Sequence, residues 1–223
     1  MGEGHTNAND HSVQMSVIKY LREKGKEVVV AMEMFPVKKQ PVLDKWIKGD
    51  LEEQLFEIAY YSSWTVDYRY YRDIFRYAAD NNIRIVAINT DSSYIDFVSN
   101  HGIEMLNKKT RDLLKLGGCE DAQAYRKSME LIWNSMNHSG DFSRICDVRR
   151  FREAVMAYNI STLLKGGDYT LVVMVGAIHA IKIAVPSMLE RHDEKVKCAI
   201  MLPSRLNRLT GMISGLEEAD YTW

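Results

Sequence analysis

The sequence predicts an α/β fold: a mostly parallel sheet flanked by helices on both faces, with a small helical insertion. Three observations carry this. Four near-continuous apolar runs rich in Val and Ile, at residues 28–32, 83–88, 169–175 and 196–202, read as strands covered on both faces. Helical periodicity separates them, and strands alternating with helices form right-handed βαβ units. The alternation then breaks over residues 102–146, where no strand run occurs.

Taken in order, Gly2-Glu3-Gly4-His5 reads as a loop leaving a strand, yet only Met1 precedes it, so the first strand is expected upstream of Met1. Asn9 or Asp10 caps a helix whose Val13, Val17, Ile18 and Leu21 repeat at helical spacing as far as Gly25. Asp67 begins another, with Tyr71, Ile74, Phe75 and Ala78 on one stripe. The insertion holds helical segments at 103–116 and 120–137, either a lid or ordinary connecting helices. A further helix over 148–164 turns Phe151, Val155, Ile160 and Leu163 inward and stops at Gly166-Gly167. The tail, 216–223, adds an edge strand through Ala219, Tyr221 and Trp223. With 223 residues and 46% hydrophobic content, 1–223 reads as one domain.

The 29 basic and 30 acidic residues balance, which gives no electrostatic footprint for nucleic acid or an anionic membrane. No apolar run approaches the roughly 18 residues of a transmembrane helix. No basic-then-apolar leader opens the chain. An export signal removed upstream would make the protein periplasmic or membrane-anchored; otherwise it is cytoplasmic. Cys119, Cys146 and Cys198 show no metal-ligand spacing and read as small, buried or half-buried residues.

Ligands of open parallel sheets bind beyond the carboxyl ends of the strands. Glu3 and His5, Glu33, Asn89 and His179 all fall at such ends. A charged Glu33 directly after five apolar residues is costly unless paired or ligating. Two carboxylates and two imidazoles suit metal binding or general acid–base work. Gly2, Gly4 and Gly176 permit tight turns and close backbone approach. His11 opens the first helix as a capping or ligand-facing residue, while His101, His138 and His192 read as solvated. In the cluster Tyr60, Tyr61, Trp64, Tyr68, Tyr70 and Tyr71, core packing explains most rings. Trp64 and Tyr68, at a helix start, could wall a pocket for a flat ligand.

At these residues the pattern resembles the ChaN-type haem-binding family. Gly-Glu-Gly-His-Thr-Asn-Ala-Asn-Asp-His at 2–11 with Gln14 looks like its opening motif. Ala31-Met32-Glu33-Met34-Phe35 with Gln40-Pro41 resembles the second, and Trp64, Tyr68, Tyr71-Arg72 and Ala87-Ile88-Asn89 the third. Gly176-Ala177-Ile178-His179 with Val185-Pro186 is similar to the last, as is the close at 219–223. The wider Tiki superfamily includes metalloproteases with two Gly-x-x-His motifs and a glutamate, and erythromycin esterases. The 151–159 segment resembles the Arg-Asp-x-x-Met-Ala-x-Asn helix of the latter, with Glu153 in place of the usual acid.

The resemblance implies the fold and, first, haem binding in iron acquisition, with a tyrosine as iron ligand and a homodimer sandwiching the cofactor. Tyr125, in the insertion, is then the candidate ligand, with Trp64, Tyr68 and His11 around the cofactor. The alternative is a hydrolase acting on a small molecule or peptide. In it His5, Glu33 and His179 hold a divalent metal (zinc, manganese or iron) with Glu3 as general base, or His5 activates water directly. The absence of a Gly-x-Ser-x-Gly elbow argues against a serine nucleophile.

Overall fold

A computed structural model describes residues 1–135, 140–206 and 218–223; His138 and the start of the tail fall outside them. The chain forms two compact units. One comprises residues 1–89 with 162–177, the other 90–161 with 178–223.

The first unit is the sheet. Strand β1 (Gly2–Glu3) leads to α1 (Ala8–Glu23), β2 (Val28–Pro36), α2 (Gln40–Lys48), α3 (Glu53–Tyr61), α4 (Arg72–Asp80) and β3 (Arg84–Asn89); β4 (Thr170–Gly176) completes it. The strand order is β1-β4-β2-β3, and every described pair is parallel. β2 is buried along its length up to Pro36, as the apolar run 28–32 requires, and the buried stretch includes Glu33.

Two expectations are corrected here. Residues 2–3 are a strand rather than a loop: Gly2 and Glu3 pair with Val175 and Gly176, and the Met1 amine donates to the Val173 carbonyl at 2.7 Å. The cap of α1 is Asn7, whose side chain accepts from the Asp10 amide; Asp10 instead accepts from the Gly4 amide at 2.8 Å, fastening the turn after β1.

Helix α2 is amphipathic, burying Leu43 and Trp46, and α3 buries Phe56 and Tyr60 one turn apart. Pro41 in the first turn and Gly49 at the left-handed C-cap delimit α2. Its Gln40 amide donates to Ile85 O and accepts from Ala87 N, at 2.9 and 2.8 Å, occupying the outer edge of β3. Aromatic rings fill the space beneath: Phe56 stacks on Trp46 at 4.5 Å and Tyr68 on Phe75 at 5.8 Å, with Phe35 and Tyr60 between.

The second unit is mainly helical: α5 (Ser92–His101), α6 (Lys108–Leu114), α7 (Gln123–Ser135), α8 (Phe142–Leu164, whose last turn reaches the first unit), α9 (Ala177–Ala180) and α10 (Val185–His192). The run expected at 196–202 shrinks to β5 (Met201–Leu202), which among the described residues pairs with β6 (Tyr221–Thr222) in a separate two-stranded sheet. Lys197 breaks its apolar continuity. Cys119 and Cys146 are disulfide-bonded and fully buried, which the spacing of three cysteines did not indicate; Cys198 is the free thiol. Beside the bridge, Asp147 accepts from the Cys119 amide at 2.7 Å and Arg150 donates to Gly117 O at 2.8 Å. His192 is half-buried against the Tyr158 ring rather than solvated.

Candidate functional site

The carboxyl ends of β1, β2, β3 and β4 bring Glu3, His5, Glu33, Asn89 and Gly176 to one edge of the first unit. β1 is two residues long, so the chain leaves the sheet at Glu3 and turns at Gly4, presenting Glu3 and His5 together. Between Met32 and Pro36 the register of β2 against β3 slips. Such irregularities re-aim side chains at sheet rims. Glu33 lies in this stretch: its carbonyl accepts from Asn89 Nδ2 at 2.9 Å, and its Oε2 accepts from the Gly176 amide at 2.7 Å.

Glu3 is the hub of a buried polar network. Its Oε1 accepts from His5 Nδ1 at 2.9 Å and from the Tyr71 hydroxyl, and its Oε2 from Gln14 Nε2 at 2.6 Å. A carboxylate removed from water survives only with such compensation. His11 belongs to the same network, buried rather than a surface cap, with Nδ1 3.1 Å from Gln14 Oε1 and Nε2 3.0 Å from the His5 carbonyl. Burial first, then the Glu3 carboxylate, raise the Tyr71 phenol far above its ordinary range, so it stays a donor.

His5 Nδ1 bonded to a carboxylate is the N–H nitrogen, so in the neutral ring Nε2 carries the lone pair. The Trp64 ring meets the imidazole edge-on at 5.1 Å. Opposite, the ring lies so near Gly176 that a Cβ there would stand 2.9 Å from both His5 Cε1 and Nε2. The glycine is needed for this approach.

His179 lies in α9, in the second unit, with a glutamate of its own. Nδ1 is 2.8 Å from Glu153 Oε1, and both side chains are buried. Each Gly-x-x-His imidazole therefore turns Nδ1 to a buried glutamate, an arrangement that fixes a base or metal ligand at Nε2. Burial raises the Glu153 carboxyl to about 7, against the pull of Arg149. Tyr125 is 3% exposed. Its phenol is pushed up by burial first and then by the adjoining Glu153 carboxyl. Tyr68 lies in the aromatic core, its hydroxyl 3.3 Å from Glu53 Oε1. Among the described residues, no three His, Cys, Asp or Glu side chains are grouped so as to hold a metal ion.

Sequence reasoning did not assign Tyr71 and Gln14 as partners of Glu3, or Glu153 as partner of His179. Polar residues recurring beside strand-end histidines were the available signal.

Residues 1–189 match the sequence model of a family described as haem-binding uptake, Tiki superfamily, ChaN. No curated protein matches the chain. A solved structure described as cofacial heme binding to ChaN of Campylobacter jejuni is similar, with a TM-score of 0.69 and 16% identity over 90% of this chain and 79% of that one. At that identity the likeness speaks for the fold.

Proposed function

Because this chain belongs to the ChaN family of haem-binding uptake proteins, we propose that it binds haem and serves iron acquisition. The observation that carries this reading is the family match over residues 1–189, which spans both units. Bound haem would supply a ferric iron that accepts a ligand from the protein. From the protein it needs an apolar face for the ring and an oxygen or nitrogen donor for the iron. The side chains present fit: α5 carries the exposed rings of Tyr94 and Phe97. Tyr125 meets the donor requirement only in kind, since its hydroxyl is enclosed and keeps its proton. Titration of the purified protein with hemin should give a shifted Soret band and saturate at a fixed stoichiometry. An unshifted, unsaturable spectrum would remove the reading. Sedimentation with and without hemin tests the homodimer that the family habit suggests.

One observation favours a second reading, acid–base hydrolysis. Glu3 Oε1 bonds His5 Nδ1 at 2.9 Å, the contact by which a carboxylate orients an imidazole base and stabilises the imidazolium that forms when it takes a proton. Glu153 Oε1 also lies 2.8 Å from His179 Nδ1, but burial favours its protonated form, so it offers the imidazole less charge than Glu3 does. Ester or peptide turnover abolished by His5→Ala supports it; no turnover of either substrate class by the wild type eliminates it.

A further inference from the structure

The geometry points to a further binding site in the second unit, independent of the haem reading: we propose that Arg149, Arg150 and Arg191 hold a phosphate group. Arg150 is the anchor. It is 3% exposed, its guanidinium lies over the Tyr125 ring at 5.2 Å, and its Nε donates to Gly117 O at 2.8 Å. Among the described residues its Nη1 and Nη2 hydrogens have no acceptor. A guanidinium carries five N–H donors and a permanent charge, so burying it with most donors unpaired is costly unless a ligand supplies oxygens.

The neighbours add charge of the same sign. Burial, and after it the nearby Arg191 guanidinium, push Arg150 below its ordinary value. Arg149 flanks the Tyr125–Glu153 pair as Arg150 does, and its buried Nη1 has no hydrogen-bond partner among the described residues. Arg191, in the last turn of α10, is exposed, so the group is open to solvent on that side. Lys115 Nζ donates to the Arg191 carbonyl and adds a cation at the rim. Opposing charge is thin. Asp121 acts on Arg150 but turns Oδ2 to the Gly118 amide at 3.2 Å, and the buried Glu153 carboxyl favours its protonated form. Arg69 and Arg76 in the first unit show the alternative, since each pairs with a carboxylate at 2.6 Å. A carboxylate is filled by one guanidinium fork. Three guanidiniums call for a ligand with three or more oxygens and more than one negative charge, which a phosphate group supplies.

Calorimetric titration with inorganic phosphate, phenyl phosphate and succinate at low ionic strength tests the site in the wild type, Arg191→Ala, Arg149→Gln and a control, Arg22→Ala, exposed on α1. The wild type should bind phosphate saturably, with a Kd of about 1 mM or tighter, and succinate more weakly. Arg191→Ala and Arg149→Gln should each weaken phosphate by about tenfold or more, while Arg22→Ala matches the wild type. Circular dichroism separates lost binding from lost fold, and Arg191→Ala, altered at an exposed position, carries the test if Arg149→Gln unfolds. Phenyl phosphate bound as tightly as inorganic phosphate supports a phosphoryl group carried on an organic ligand; its exclusion supports the free ion. A wild type without saturable phosphate binding, equal affinity for succinate, or a phosphate affinity unchanged in Arg191→Ala overturns the proposal and leaves the haem reading untouched.

Discussion

Replacing Gly176 with alanine probes the contact on which the orientation of His5 depends. The new methyl would sit 2.9 Å from two imidazole atoms, whereas carbon atoms rest about 3.5–4.0 Å apart. The ring must therefore retreat by about 0.6 Å or more. Its side chain is about one-third exposed, so it can swing outward. That motion would draw Nδ1 away from Glu3, and a 2.9 Å bond lengthened by such an amount no longer counts as one. A hydrogen bond to a charged group contributes about 1.5–3 kcal/mol. A loss near 2 kcal/mol lowers Tm by about 4–8 °C in a chain of this size. Calorimetry measures the stability, and nitrogen-15 spectra of the imidazoles report which His5 nitrogen bears the proton. An alanine variant with unchanged Tm and an unchanged Nδ1–H signal would refute the reasoning.

Tyr71→Phe deletes one of three donors to a buried carboxylate and should cost about 1.5–3 kcal/mol in urea unfolding; a neutral result would mean that water takes the place of the hydroxyl. Cys119→Ala with Cys146→Ala opens a bridge across a sequence separation of 27, for which chain entropy gives about 3.5 kcal/mol of lost stability; denaturation with and without reductant should reproduce that loss in the wild type only. Glu153 is held at about 7 in the fold against 4.5 as its ordinary value, so the folded state binds its proton more tightly than the unfolded chain does. Its contribution is full below about pH 4.5 and declines as pH rises to about 7, by about 3 kcal/mol in all. Glu153→Gln should flatten the stability profile across that window; an unaltered slope would contradict the buried, proton-retaining carboxyl.

Three of the four main strands were legible because β2, β3 and β4 each contain a run of at least four apolar residues, 28–32, 85–88 and 171–175. β1 was not, since two residues carry no pattern and become a strand only through the ladder of β4. The rule that ligands gather at carboxyl strand ends brought Glu3, His5, Glu33 and Asn89 into view, and the first unit does hold them along one edge. The groups that make them a network were hidden for a physical reason. Tyr71 has the helical spacing of a core residue, and only its hydroxyl, reaching Glu3 from 68 positions away, reveals its second role. The disulfide was equally silent, because pairing depends on how α8 and the 117–119 loop pack.

The Gln40 amide has a consequence beyond the fold of one chain. An outermost strand ordinarily offers its main-chain groups to any passing extended segment, the first step of fibril growth or strand exchange. Here a side chain already holds the groups of residues 85 and 87, so a visitor must first evict it. Backbone zippering along this edge is thereby disfavoured at residues 85 and 87.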